Sequence, residues 1–114
     1  MLWLLAGDAR VEGVRAAIED ARTPVLISAV CVWEAAIKGA LGKLRVPHDL
    51  LERLDEFAFE RLPVTDVHAW AVRALPPIHS DPFDRLLAAQ AVCERATIVS
   101  ADEVFDAYAV TRIW

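Results

Sequence analysis

The sequence predicts one α/β domain, a three-layer arrangement in which helices flank a central parallel sheet. Short apolar, β-branched runs alternate along the chain with segments whose apolar residues recur every three or four positions, a pattern typical of strands connected by helices. A chain of 114 residues can bury one sizeable core but not two independent ones. We therefore expect a single domain over residues 1–114, with one functional site beyond the carboxyl ends of its strands.

A strand that leads directly into a helix is predicted after an initial helix over residues 11–21. The run Val25–Ser28 is apolar and β-branched and follows a proline, as is typical of a buried strand. Helical periodicity then extends from Ala29 to about Leu41, and Gly42 can end this helix because glycine adopts the left-handed conformation at a C-terminus. The apolar face predicted for this helix consists of Val30, Trp33, Ile37, Ala40 and Leu41.

The middle of the chain is predicted as helix, strand and helix. The first helix covers residues 48–58, and a short strand follows at Phe59–Val64. Thr65 is a suitable N-cap for a helix that runs to Leu75, where a pair of prolines ends it. The apolar face predicted for residues 48–58 consists of Leu50, Leu51, Leu54 and Phe57.

The last third begins with a strong helix signal, an aspartate N-cap followed by proline at the first helical position, Asp81-Pro82. The helical pattern extends through Arg85–Arg95. A strand over Ala96–Ser100 follows, and Val110–Trp114 is predicted as an edge strand. The alternation of strands and helices predicts that the sheet is parallel.

Charge and hydropathy narrow the possible functions. No apolar run approaches the roughly 20 residues that cross a bilayer, and the first residues lack a basic leader, so we expect a cytoplasmic protein rather than a membrane or secreted one. The net charge of −5 argues against a broad basic surface that grips phosphates. A metal-dependent nuclease remains compatible, because divalent ions neutralise its carboxylates and then meet the phosphate.

Three acidic residues occupy positions that this topology would bring together. Glu34 lies on the helix after the strand Val25–Ser28, Asp84 lies in the first turn of the helix after the prolines, and Asp102 follows the next strand. Magnesium prefers oxygen ligands and keeps several waters, so a few convergent carboxylates suffice to hold it. Such an ion can polarise a phosphate and activate water. The pattern therefore indicates a candidate Mg²⁺ site.

Each acid also has an ordinary structural explanation. Glu34 precedes Lys38 by four residues, the favourable order for a helical ion pair. Asp81 and Asp84 both stabilise a helix N-terminus through capping and the helix dipole. Asp102 can cap the turn that begins after it. Spacing alone leaves a metal site and its absence equally open.

Several longer segments resemble PIN domains of the VapC toxin type. They occur in family order, cover nearly the whole chain and comprise Leu2–Asp8, Ser28–Lys38, Gly42–Leu44, Leu75–Leu87, Ala89–Ala91, Ser100–Glu103 and Trp114. Members of that family are toxins of type II toxin–antitoxin pairs, and they cut RNA with Mg²⁺ or Mn²⁺. The resemblance implies a PIN-like fold and a metal-dependent endoribonuclease.

The resemblance also implies roles for particular residues and partners. Glu34, Asp84 and Asp102 match the second, third and fourth family acids, which are both catalytic and metal-binding, whereas Asp81 is a nearby acid with a mainly capping role. In the implied mechanism the carboxylates hold the metal, which activates the water that attacks an RNA phosphodiester. Ser100 could position a carboxylate or a water there. The implied partners are RNA, a VapB-like antitoxin that covers the acidic pocket, and a second copy in a homodimer.

One departure from the family pattern concerns its beginning. Family members open with an apolar strand that ends in an acid, a few residues before the Leu-Trp-Leu-Leu run that here starts at Leu2. We therefore expect the first strand and first acid to be missing, through a misassigned start, a decayed gene or replacement by another segment. Asp8 matches a different family position. Since that strand lies in the middle of the sheet, its loss would leave backbone groups unpaired.

Two other classes of function remain as alternatives. One is a PIN-domain remnant without catalysis, which binds only the antitoxin or a second copy; the missing acid favours it, whereas the three retained acids favour the nuclease. The other is a metal-dependent phosphatase or receiver-like domain, which also clusters acids at strand ends. A receiver-like domain requires a late lysine, and Lys43 is the last lysine in the chain.

Overall fold

The computed structural model describes residues 25–57, 59–77, 81–100 and 102–113. The helix predicted over residues 11–21, the Leu2–Asp8 motif and the expectation about a first strand lie outside them. The described part confirms the predicted mixture of strands and helices. Its elements are, in order, β1 (Leu26–Ser28), α1 (Ala29–Ala40), α2 (Leu50–Asp55), β2 (Glu60–Leu62), α3 (Asp66–Ala71), a 3-10 helix (Val72–Ala74), α4 (Pro82–Glu94), β3 (Ile98–Val99), a second 3-10 helix (Glu103–Ala107) and β4 (Arg112–Ile113).

The described strands pair in parallel, as predicted. β1 lies beside β2 with Leu26 opposite Glu60, and β3 lies beside β4 with Ile98 opposite Arg112. Within the described ranges these strands form two separate two-stranded sheets. Parallel neighbours require a crossover connection, which α1 and α2 provide between β1 and β2. The architecture agrees with the predicted three-layer α/β fold in which helices flank a parallel sheet.

Helix boundaries follow the predicted capping signals. At the end of α1, Gly42 has a φ of 71°, and the N–H groups of Gly42 and Lys43 donate to the carbonyls of Gly39 and Lys38 at 3.2 and 2.9 Å. This pair of bonds is the Schellman motif, which favours glycine at the left-handed position. At the start of α3, the Thr65 side chain accepts from the backbone N–H of His68. Both predicted boundaries are therefore confirmed.

The two middle helices are shorter than predicted. α2 ends at Asp55, so Phe57 lies beyond it and stacks on Phe59 with ring centroids 5.1 Å apart. The expected apolar face is half wrong: Leu50 and Leu54 are buried, but Leu51 and Phe57 are exposed. Six residues make fewer than two turns, which is too short for one face to bury four side chains. α3 likewise ends at Ala71 and tightens into the first 3-10 helix before the prolines.

The predicted apolar face of α1 also needs correction. Val30 and Ala35 are buried, whereas Trp33 is 48% exposed and Leu41 is 63% exposed. The Trp33 ring packs edge-on against Phe83 at a centroid distance of 4.5 Å, so it covers the surface of α4 rather than entering the core. Leu41 lies at the C-cap, where the chain leaves the packed part of the helix.

Two apolar clusters form the described core, one beside each strand pair. The first contains Ile27, Ala35, Leu50 and Leu54, and the second contains Ala88, Ala91, Ile98, Phe105 and Tyr108. α3 packs on α4, and α4 also packs on α1, so α4 is the helix that connects the parts of the core. Among the described residues, no helix has both the length and the apolar character needed to cross a bilayer.

Candidate metal centre

A cleft of about 230 Å³ lies between α1 and α4, at the carboxyl end of β3. It is bordered by Val30, Cys31, Glu34, Lys38, Asp81, Phe83, Asp84, Leu87, Val99, Ser100, Asp102 and Phe105. Four of these side chains are acidic and one is a lysine, so the cleft favours cations. The carboxyl ends of parallel strands are where α/β proteins bind their ligands, and the position agrees with the expectation from the sequence.

Three acids from two elements converge in this cleft. One ligand atom from each of Glu34, Asp81 and Asp84 lies within 4.8 Å of the others, and all three residues are half-buried. Glu34 projects from the second turn of α1, whereas Asp84 lies in the first turn of α4 and Asp81 is the N-cap of that helix. The N-terminal end of α4 adds the positive end of a helix dipole, which stabilises negative charge there.

The capping role predicted for Asp81 is confirmed. Its Oδ1 atom accepts hydrogen bonds from the backbone N–H groups of Phe83 at 2.8 Å and Asp84 at 3.3 Å, and Pro82 occupies the first turn. Both bonds end on Oδ1, so capping does not consume the second carboxylate oxygen. Asp81 can therefore cap α4 and contribute to a cation site at once.

Asp102 borders the same cleft but is not part of the three-acid group. It caps the second 3-10 helix, because its Oδ1 accepts from Val104 N at 3.0 Å. Its own backbone N–H donates to the buried Ser100 Oγ at 3.0 Å. Arg112 in β4 donates to the Ser100 carbonyl at 3.1 Å and holds both carboxylate oxygens of Asp106 at 2.8 and 2.9 Å. Ser100 and Arg112 thus fix the backbone on which Asp102 is carried.

Lys38, the one lysine among the described residues that border the cleft, forms the predicted pair with Glu34. Lys38 Nζ lies 3.2 Å from Glu34 Oε1, and the Glu34 side chain is 23% exposed. The ammonium group offsets part of the negative charge that three neighbouring carboxylates create. A pair with partial exposure of this kind is weak, so Glu34 can exchange this partner for a cation at small cost.

Among the described residues that border the cleft, Cys31 supplies a thiol. Burial raises the pKa of this thiol, and the nearby Glu34 carboxylate raises the pKa further. A thiol must lose its proton to become a good metal ligand. Cys31 therefore stays protonated near neutral pH, and the cleft offers oxygen ligands rather than sulfur.

The donor set fits a hard divalent cation. Mg²⁺ takes oxygen ligands at roughly 2.0–2.1 Å in octahedral geometry, so two oxygens on one ion lie about 2.9 Å apart when adjacent and about 4.2 Å apart when opposite. The three carboxylates have ligand atoms within 4.8 Å of one another, and side-chain rotations would bring them into this range. Like charges at this separation repel one another in the absence of a cation.

Sequence reasoning located most of this cleft. Glu34 and Asp84 lie together, as predicted, and Asp102 borders the same cleft; whether these three bind metal and act in catalysis stays a prediction. The third member of the close group is Asp81, for which the sequence predicted a mainly capping role. The signal for it was present, since Asp81 and Asp84 are three residues apart at one helix start and thus lie on the same side of the first turn.

The family model of the PIN domain matches residues 1–110 of the chain. No curated protein matches the chain.

Proposed function

The chain belongs to the PIN domain family, whose members are generally metal-dependent nucleases, and from this premise we propose that it is a Mg²⁺- or Mn²⁺-dependent endoribonuclease. The resemblance to VapC proteins supplies the finer part of the proposal: a toxin of a type II toxin–antitoxin pair in the cytoplasm, bound by a VapB-like antitoxin and paired as a homodimer. The substrate is RNA, and the bond that breaks is a phosphodiester.

The proposal rests on the convergence of three carboxylates from two helices. Glu34 on α1 approaches Asp81 and Asp84 at the start of α4, with ligand atoms within 4.8 Å, in a cleft that Asp102 also borders. The residues lie far apart in the sequence, and structural roles in separate helices do not require their carboxylates to meet. A shared divalent cation gives a physical reason for bringing three negative charges together.

The side chains of the cleft have distinct roles in this proposal. Glu34, Asp84 and Asp102 hold the ion, and Asp81 adds an oxygen from the cap of α4. When bound, the ion supplies charge stabilisation for a phosphate and lowers the pKa of water. Lys38 already borders the cleft, where its ammonium group can contact a phosphate oxygen once Glu34 turns to the ion.

A protein-binding role without catalysis is a second candidate. Val67 and Trp70 on α3 are each 69% exposed, and large apolar side chains in this position are suited to a protein partner. Arg73 lies over the Trp70 ring at 4.4 Å from its centroid. This surface is compatible with the toxin proposal as well, so activity must separate the two candidates.

The first test combines metal binding with RNA cleavage. We expect the purified chain to bind Mn²⁺, and Glu34→Gln or Asp84→Asn to lower Mg²⁺-dependent cleavage of a structured RNA by more than about 100-fold, since even residues behind the ligands contribute 10- to 100-fold. Glu52→Gln removes an exposed acid from α2 and serves as the charge-matched control, which should cleave normally.

Cleavage that is lost in the Glu34 and Asp84 variants supports the nuclease. Undiminished cleavage by Asp84→Asn would overturn the site assignment. Absence of cleavage by the unsubstituted chain would favour the protein-binding role.

A further inference from the structure

A chain of buried polar side chains crosses the interior behind the candidate metal centre. Ser28 at the end of β1, Gln90 in α4 and His68 in α3 are 2%, 1% and 2% exposed. His68 and Gln90 are the largest fully buried side chains among the described residues. Buried polar groups are costly unless they are hydrogen-bonded, so their partners determine what these residues do.

Every polar atom of the Gln90 amide has a partner. Ser28 Oγ donates to Gln90 Oε1. Gln90 Nε2 donates to the Pro63 carbonyl at 3.3 Å and lies 3.3 Å from His68 Nδ1. An amide has one acceptor and two donor hydrogens, and all are used here. The orientation of the Gln90 side chain is therefore fixed by three different elements of the fold.

The contacts of His68 determine its tautomer and continue the chain outward. Its Nδ1 accepts from the backbone N–H of Thr65 at 3.1 Å, so that nitrogen carries no hydrogen. The Nε2–H group then donates to Glu94 Oε1 at 2.7 Å, at the C-terminal end of α4. A ring that is held at both nitrogens cannot turn, and the single Nδ1 lone pair is shared between the Thr65 N–H and the Gln90 amide.

This polar chain connects the two helices that carry the candidate metal ligands. Ser28 is the N-cap of α1, where its Oγ accepts from Val30 N at 3.0 Å, and Glu34 lies six residues further along that helix. Gln90 lies six residues after Asp84 on α4. A single side-chain bond from Ser28 to Gln90 thus joins the start of one ligand-bearing helix to the middle of the other.

We infer that Gln90 and His68 are positioning residues that hold α1 against α4 at the separation where Glu34 can share a cation with Asp81 and Asp84. The inference rests on the proposed function, since it assigns a purpose to the spacing of the proposed ligands. Apolar contacts tolerate small sliding of one helix on another, whereas a fully bonded buried amide has one low-energy arrangement. Neither residue touches the cation; each acts through the helices.

The test is Mn²⁺ affinity, measured by titration calorimetry on the full chain together with thermal unfolding. Gln90→Met keeps the length of the side chain and removes its hydrogen bonds, and we expect it to lower Mn²⁺ affinity by about 10- to 100-fold, the usual effect of losing support behind a ligand. Leu54→Val weakens the first apolar cluster without touching the polar chain, and it should bind Mn²⁺ normally even though it unfolds at a lower temperature.

A second, independent pair of variants guards against a Gln90→Met protein that fails to fold. His68→Asn keeps an acceptor near the position of Nδ1, whereas the leucine in His68→Leu has nearly the same shape as asparagine but no acceptor. We expect normal Mn²⁺ affinity in His68→Asn and a lower Mn²⁺ affinity in His68→Leu. Equal affinities within this pair, or a folded Gln90→Met protein with normal affinity, would overturn the inference alone. Failure of the unsubstituted chain to bind Mn²⁺ would overturn the proposed function, and the inference with it.

Discussion

The two strand pairs have the same parallel geometry but make unequal contributions to the cleft. The first half of the described fold, residues 25–62, contains β1, α1, α2 and β2; the second half, residues 81–113, contains α4, β3 and β4. Each half has its own apolar cluster. The first half supplies one acid to the cleft, Glu34, whereas the second supplies Asp81, Asp84 and Asp102.

The buried apolar clusters lie within the halves, whereas a buried hydrogen bond between side chains joins the two halves. Each cluster consists of side chains from the strands and helices of one half. Between the halves, the Ser28–Gln90 hydrogen bond lies in the interior, and the Trp33–Phe83 ring contact and the acidic cleft lie nearer the surface. Apolar burial supplies most of the free energy of folding, while directional bonds specify geometry. Stability therefore depends mainly on each half, and the spacing of the acids depends on their junction.

The largest expected effect comes from a matched pair of core substitutions, Ile27→Ala in β1 and Ile98→Ala in β3. The two isoleucines are 7% and 6% exposed, and each replacement should lower the free energy of unfolding by about 2–5 kcal/mol through lost burial and a residual cavity. Because α4 packs on both α1 and α3, we expect each variant to unfold in urea in one cooperative transition. Circular dichroism and tryptophan fluorescence should both report this same transition.

Separate transitions by the two probes would contradict a single cooperative unit. A lower free energy of unfolding in only one of the two variants would show that the halves do not contribute equally to stability. Ile27→Val and Ile98→Val are the graded controls, each of which should lower the free energy of unfolding by about 0.5–1.5 kcal/mol.

The sequence predicted the features that depend on local chemistry. The caps at Asp81 and Thr65 and the left-handed Gly42 follow from which side chains can satisfy backbone groups at helix ends. Glu34 and Asp84 could be located because strand–helix alternation determines which end of the sheet they reach. These predictions needed only neighbouring residues and a parallel topology.

Features that depend on distant partners were missed. Gln90 fits an ordinary helical pattern, and nothing near it in the sequence indicates that Ser28 and His68 complete its hydrogen bonds. The exposure of Trp33 depends on where α4 lies, because the Trp33 ring packs edge-on against Phe83 of that helix and remains 48% exposed. Periodicity identifies an apolar face, but it does not specify how much of that face its neighbours cover.

A smaller effect separates the two roles of Asp81 in the second half. Asp81→Ala removes the cap and the charge, and it should lower the free energy of unfolding by about 1 kcal/mol as well as weaken Mn²⁺ binding. Asp81→Asn keeps a capping oxygen for Phe83 N and Asp84 N but removes the negative charge. We expect it to unfold like the unsubstituted chain while still binding Mn²⁺ more weakly. Equal Mn²⁺ affinity in Asp81→Asn and the unsubstituted chain would limit Asp81 to capping.

The smallest expected effect concerns the second half, where Asp106 makes the stability of the fold depend on pH. Two hydrogen bonds from Arg112 hold the pKa of Asp106 below its usual range, mainly through the bonds themselves and partly through the opposite charge. An aspartate with a lowered pKa in the folded state stabilises the fold above the ordinary value of about 3.9, and this contribution disappears as pH falls through the lower folded-state value. Unfolding midpoints for the unsubstituted chain and Asp106→Asn should therefore differ at neutral pH and converge in acid.

The first half offers a matched control for the Arg112–Asp106 pair in Asp55→Asn. Asp55 receives a hydrogen bond from Arg61 at 2.6 Å, but that arginine side chain is 40% exposed, against 17% for Arg112. Arg112 also donates to the Ser100 carbonyl, so its pairing with Asp106 orders the backbone that carries Asp102. Among the described residues, Arg61 bonds Asp55 and the Leu51 carbonyl, and neither of these borders the cleft. We therefore expect Asp106→Asn to weaken Mn²⁺ binding slightly and Asp55→Asn to leave it unchanged. Equal effects of the two substitutions would mean that the Arg112 network stabilises the second half without positioning Asp102.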